Sequence, residues 1–130
     1  MSEVIENRSS HTIQSAKESI GEVMIADDVV AIIAGFAATE TDGVASMAGN
    51  ITKELISKLG MKNLSKGVKI EMTDRVVRAF VSIYIEYGYS IPKVCTAVQE
   101  RVKSAIENMT GLTVCEVNVK VAGVNVENNE

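Results

Sequence analysis

The segment 76–109, VVRAFVSIYIEYGYSIPKVCTAVQERVKSAIENM, constrains the fold of this chain more than any other. Val77, Ala79, Val81, Ile83, Ile85 and Tyr87 alternate without a polar interruption. Alternate side chains of a strand point to opposite faces, so the pattern predicts a long strand over 76–87 with one buried face. The other face, Val76, Arg78, Phe80, Ser82, Tyr84 and Glu86, is mixed, as on a sheet side that is only partly covered. Tyr87, Gly88 and Tyr89 break the alternation. Ser90 then offers a hydroxyl to cap a helix whose second position, Pro92, tolerates the loss of a first-turn N–H. Ile91, Val94, Cys95, Val98, Val102, Ala105, Ile106 and Met109 recur every three or four residues, predicting a helix over 91–109, and Gly111 is placed to end it. Beyond it, Cys115, Val117, Val119 and Val121 alternate with Glu116, Asn118 and Lys120, a strand over 113–121. A strand, a helix of this length and a second strand imply a right-handed crossover, with the two strands parallel if they share a sheet.

Upstream, residues 67–73 form a strand with Val68, Ile70 and Met72 on one side. A two-residue turn at Asp74 and Arg75 would set Met72 against Val77, Ile70 against Ala79, Val68 against Val81 and Glu71 across from Arg78. Asp-Arg lacks the glycine such a turn prefers, which leaves a longer or bulged turn open. Short strands are read at 21–25 and 44–47. Between them lies a helix over 27–41, whose N-terminus favours the carboxylates of Asp27 and Asp28 as capping groups. From 29 to 38 this helix has no charged or polar side chain on any face, although a helix on a sheet normally keeps one wet side. Val29, Ile32, Ile33 and Phe36 make a bulky stripe. Ala31, Gly35 and Ala38 make a small one that would allow close backbone approach, and both stripes could instead be buried within the monomer. A short helix over 51–59 is the weakest element.

Composition narrows the function. With 46% hydrophobic residues but only five aromatics and no Trp, the core is aliphatic, and 130 residues are enough to bury it without disulfides or metal. Cys95 and Cys115, with no CxxC and no neighbouring His, read as small buried hydrophobes in a reducing compartment. No leader-like segment or bilayer-length apolar run is present, so no direct transmembrane insertion is expected. Residues 1–49 carry a net charge of -6, residues 50–69 of +4 and residues 70–130 of -2. The basic region, Lys53, Lys58, Lys62, Lys66 and Lys69, lacks the Arg and aromatic residues of a nucleic-acid surface and reads first as solvated lysine. GVASMAGN and LGMKNLSKG fail the spacings of phosphate-binding loops, and the carboxylates are scattered. No catalytic, cofactor-binding or metal-ligating residues are assigned, and no cofactor or enzymatic activity is expected.

Four stretches carry a family resemblance: IADDVVAIIAGFAATETDGVASMAG, SKGVKIEM, IYIEYGYSIPKV and VQERVKSAIENMTGLTVCEVNVKVAGV. Over residues 20–124 they resemble the alkaline shock protein (Gls-type) family of bacterial envelope-stress proteins. The resemblance implies a cytoplasmic protein without known enzymatic activity, linked to cell-envelope stress and in some members held at the membrane by a separate anchor protein. It carries over no catalytic residues. Asp27 stands where Pro is common in the family, and Cys95 where Ala is common.

The expected architecture is α+β: a single domain over 20–124, a small mixed sheet with two main helices packed on it, a disordered tail over 1–19 and a polar tail over 125–130. The expected function is that of a cytoplasmic interaction or scaffold module near the membrane, with a protein partner that is itself membrane-anchored in some settings. The alternatives are a regulator of a metabolic enzyme and a nucleic-acid module using Lys53 to Lys69. A homo-oligomer is expected, with Ala31, Gly35, Phe36 and Ala38 as one contact surface and Phe80 with Tyr84 as another.

Overall fold

The structure, a computed structural model, describes residues 12–13, 20–47 and 66–126. The helix expected over 51–59 lies outside the described residues, as do Lys53, Lys58 and Lys62.

Strand β1 (Thr12–Ile13) pairs antiparallel with β2 (Val23–Met24) in a two-stranded ladder. The segment expected at 21–25 is therefore not a strand of the main sheet, because a strand of two residues is too short to contribute a face to it. Its partner falls inside the stretch expected to be a tail. Helix α1 (Asp27–Thr39) starts at Ala26 without a side-chain cap. Asp27 and Asp28 lie in its first turn, where they act on the helix dipole rather than as the N-cap residue. At the other end the Thr39 hydroxyl donates to the Phe36 carbonyl (2.9 Å) and the Thr41 hydroxyl to that of Ala37 (3.0 Å), which accounts for both buried hydroxyls.

Strands β3 (Val44–Met47), β4 (Val68–Thr73), β5 (Val76–Glu86) and β6 (Thr113–Asn125) form the main, mixed sheet. The β4–β5 hairpin has the expected register, Met72 to Val77, Ile70 to Ala79, Val68 to Val81 and Glu71 to Arg78. Asp74 (φ 51°) and Arg75 (φ 69°) both take the positive φ that a two-residue turn of type I′ requires. Helix α2 (Ile91–Thr110) then crosses over, and β6 runs parallel to β5 along residues 76–86. Since β6 occupies one edge of β5, β3 and β4 share the other, end to end: Met47 pairs with Ile83 and Val68 with Val81.

α2 carries the expected caps. Ser90 Oγ accepts from the Lys93 N–H at 3.5 Å, and Gly111 (φ 78°) donates its N–H to the Glu107 carbonyl at 2.9 Å. Its inner stripe, Val94, Val98, Val102 and Ile106, meets Val77, Ala79, Val81, Ile83 and Ile85 of β5 in one buried cluster that also takes in Met47 and Val30. Tyr87 falls beyond the strand and is 75% exposed, so the buried face of β5 stops at Ile85. β6 departs from the expected alternation. An extra residue between Val114 and Glu116 forms a bulge that turns Val114 inward and leaves Cys115 exposed. The expectation of two buried cysteines fails at that point, while Cys95 stays half-buried against the core.

Candidate functional site

Helices α1 and α2 lie on the same face of the sheet and pack against each other. The order of the two stripes on α1 decides what the surface looks like. Ala31 (5% exposed), Gly35 and Ala38 (0%) face inward with Val30 and Ala34, so three of the residues expected at a contact surface are core residues of the chain itself. Small side chains let the α1 backbone approach the large residues of β5 and α2, and the bulky stripe is left outside. Val29 is 46% exposed and Phe36 38%, with Ile32 and Ile33 partly covered. Of the four residues named for this surface, Phe36 alone is on it.

The stripe forms one wall of a groove of about 790 Å³ between the helices. Val29, Ile32, Ile33, Phe36 and Ala37 come from α1, and Ala105 and Met109 from α2. Met109 is 71% exposed, and among the described residues the polar lining is Glu40, Arg101 and Ser104. A volume of this size is typical of ligand and peptide sites, but a lining with so few hydrogen-bonding groups holds an occupant by apolar contact rather than by polar chemistry. The composition of the α1 stripe was readable in the sequence. The contribution of Ala105 and Met109 was not, because nothing in a single amphipathic helix says which flank will be left open beside a neighbour.

The second expected surface, Phe80 with Tyr84, lies on the outer face of the sheet, and both rings are half-buried. The Arg78 guanidinium stands 5.7 Å from the centre of the Phe80 ring, and the Tyr84 ring covers Gly123 so closely that a Cβ there would lie 2.9 Å from it. Arg78 also bridges two carboxylates, donating from Nη1 to Glu71 (3.2 Å) and from Nε to Glu116 (3.3 Å). Its pKa is raised by the hydrogen bond to Glu116. The Asn118 amide and then Arg78 hold the Glu116 carboxyl below its ordinary range. This face is a wet ion-pair lattice with two aromatics already partnered by the chain. Of the basic region, Lys66 and Lys69 are exposed, and Lys69 Nζ lies 3.9 Å from Glu71.

The edge of β6 not paired with β5 is partly covered by α2. Gln99 donates to the Val117 carbonyl and Lys103 to that of Val114, both at 3.0 Å, while Glu107 accepts from the Val114 N–H at 2.9 Å and from Lys103 at 3.1 Å. The Val114 N–H and then Lys103 lower the pKa of Glu107. Side chains of α2 thus do at the start of β6 what a neighbouring strand would do. Among the described residues no group of three or more His, Cys, Asp and Glu converges as metal ligands would, and no helix is long and apolar enough to cross a membrane.

Comparison with known proteins adds a family. Residues 15–126 match the model of the alkaline shock protein 23 family, described as having a cell envelope-related function. The uncharacterised protein YqhY of Bacillus subtilis (strain 168) is 40% identical over 105 residues, 81% of this chain and 78% of YqhY. The uncharacterised protein YloU of the same organism is 34% identical over 110 residues, 83% of this chain and 92% of YloU. Among solved structures, a cadmium form of the MamM CTD superposes with a TM-score of 0.47 at 11% identity, over 79% of this chain and 100% of that one. So loose an overlap has no bearing on function.

Proposed function

This chain belongs to the alkaline shock protein 23 family, whose function is cell envelope-related, and from that premise we propose that it is a non-enzymatic interaction module of the bacterial envelope-stress response. It works in the cytoplasm and binds another protein through the groove between α1 and α2. The observation that supports this reading is the exposed bulky stripe Val29, Ile32, Ile33 and Phe36, joined by Met109 across the groove. The main exposed apolar patch of a small domain is often its functional surface. Among the described residues the groove carries one base and one acid and is otherwise apolar, a chemistry that suits a protein better than a nucleic acid.

The test is affinity capture from native bacterial cells with the wild-type chain and with Phe36→Glu as baits, each first checked for folding by circular dichroism. The expected result is a defined set of protein partners, a membrane-anchored one among them, recovered by the wild type and lost by the variant. Retention of every partner by a folded Phe36→Glu variant would remove the groove from the reading. Recovery of nucleic acid alone, with a steep salt dependence, would replace the reading altogether.

A further inference from the structure

We infer that the open edge of β6 takes an extended segment of another protein as an added strand, one in which apolar residues alternate with acidic ones. The edge lies apart from the groove between the helices, on the opposite flank of α2. Among the described residues β6 pairs with β5 along one side and with no strand along the other. Such an edge is a template for main chain, because its N–H and C=O groups repeat at the spacing of an extended backbone.

The bonds from α2 fix which groups face outward. Glu107, Lys103 and Gln99 take the Val114 N–H, the Val114 carbonyl and the Val117 carbonyl in turn. Both main-chain groups of a strand residue point to the same side, and alternate residues repeat the direction. Outward groups therefore continue at Val119 and Val121. The covering side chains do not continue with them. Going back along the same flank of α2, Gln99 is followed by Cys95 and then Pro92, a weak hydrogen-bonding group and none at all. Among the described residues nothing bonds the Val119 N–H, the Val119 carbonyl or the Val121 N–H from outside the sheet. Edges are ordinarily guarded by proline, by inward-pointing charge or by a bulge. From Val117 to Val121 β6 has none of these, and its second bulge comes only between Val121 and Gly123.

Side chains select the occupant. On the helix side Val117, Val119 and Val121 are half-buried, and two residues of strand match four of helix in rise, so Cys95 stands level with Val119. An incoming strand meets an apolar shelf there. On the outer face Lys120, paired in register with Ser82, is exposed and makes no ion pair or side-chain hydrogen bond among the described residues, whereas neighbouring Glu116 is held by Arg78. A strand laid along β6 sets every second side chain on the shelf and places the one between them beside Lys120. A carboxylate is favoured at that place and a second base is opposed.

The probe is a short, acetylated and amidated peptide of alternating valine and glutamate, titrated to about 1 mM into the full chain while backbone amide exchange is followed by NMR. In the free chain the Val119 and Val121 amides should exchange fast, and those of Asn118 and Lys120, which face β5, slowly. The peptide should protect Val119 and Val121. Lysine in place of its glutamates should weaken binding about fivefold, and Lys120→Glu should reverse that preference. Val119→Pro, which deletes an outward N–H and leaves the β5 ladder intact, should abolish binding; if it fails to fold, the Lys120→Glu reversal decides alone. Absence of protection at the highest peptide concentration, shifts confined to the groove between α1 and α2, or a Lys120→Glu chain with unchanged preference overturns the inference. Protection of both amides without peptide, rising with protein concentration, makes the occupant a second copy and overturns it equally.

Discussion

Replacing Asp74 and Arg75 with Asn and Gly should stabilise the protein, although neither side chain sits in the core. Both residues occupy positive φ, 51° and 69°, in the turn that sets the β4–β5 register. An L-residue in that region costs roughly 1–2 kcal/mol, and Asp less than most because its short side chain bonds locally. The two positions together therefore hold about 2 kcal/mol of strain, most of it at Arg75. Asn-Gly is the pair this turn type prefers, but Gly also gives the unfolded chain more freedom, which returns about 0.4–1 kcal/mol. The net gain is about 1 kcal/mol, or roughly 3–5 °C in Tm for a chain of this length. The Arg75 carbonyl accepts from the Thr113 N–H at 3.1 Å, a main-chain bond that Arg75→Gly preserves. Urea unfolding followed by circular dichroism measures the change directly. The midpoint should rise at constant m, with Arg75→Gly alone giving most of the gain. A lower midpoint, or an altered m, would refute the assignment of strain to this turn.

Gly43→Ala should destabilise by about 2–4 kcal/mol in the same assay. Its φ is 94°, and a Cβ there would lie 2.6 Å from Val94 Cγ2 and 2.8 Å from Tyr89 Cδ2. On α1, Ala38→Leu should overpack the core and cost about 1–3 kcal/mol, whereas Phe36→Ser, which removes a ring only partly covered by the chain, should cost about 1–2 kcal/mol. The two thiols should separate in a thiol-reagent time course: Cys115 reacts first because it is exposed, and Cys95 more slowly because it is half-buried and burial raises its pKa. Glu107 has a folded-state pKa below its unfolded value, so the stability it contributes is fully present above the unfolded value and is lost as pH falls through the folded one. The gap in urea midpoint between wild type and Glu107→Gln should therefore be widest near about pH 7 and narrow as the solution is acidified below the ordinary carboxylate range.

The strand pairing was legible because two independent patterns had to agree. Val68, Ile70 and Met72 fall opposite Val81, Ala79 and Val77 only if the loop has two residues, and that is the register found. The residues Asp74 and Arg75 argued against the loop, and the matched faces on both strands overrode them. β6 was misread at its first turn of alternation for a reason that is visible in hindsight. Leu112 and Val114 are buried at even positions, and Val117, Val119 and Val121 pack on the core at odd ones. A strand can change parity only by inserting a residue, so a bulge between 114 and 117 was already implied. Reading Cys115 as the first member of the odd series hid it. The ladder of β1 with β2 carried no comparable signal, since two residues a side are too few for periodicity to register.

The candidate site turned on a choice that hydrophobicity could not make. Every residue of α1 between 29 and 38 is apolar, so burial of either stripe looks equally favourable to a count of apolar area. Volume decides between them. The inner faces of β5 and α2 already bring Ile83, Ile85, Val98, Val102 and Ile106 into the space beneath α1, and Met47 enters it from β3. A core packed at crystal density has room left there for Ala34, Ala38 and Gly35 but not for a second set of branched and aromatic side chains. Turning the helix to hide Val29, Ile32, Ile33 and Phe36 would force those residues against side chains that cannot retreat, at a cost of a few kcal/mol for each badly placed group. Leaving them outside costs solvation only until something covers them. The exposure of the α1 stripe therefore follows from the size of the residues on the strands and helix beneath it. A chain that selected large aliphatics for the sheet and small ones for the helix face against it has placed its remaining bulk on the outer side of α1.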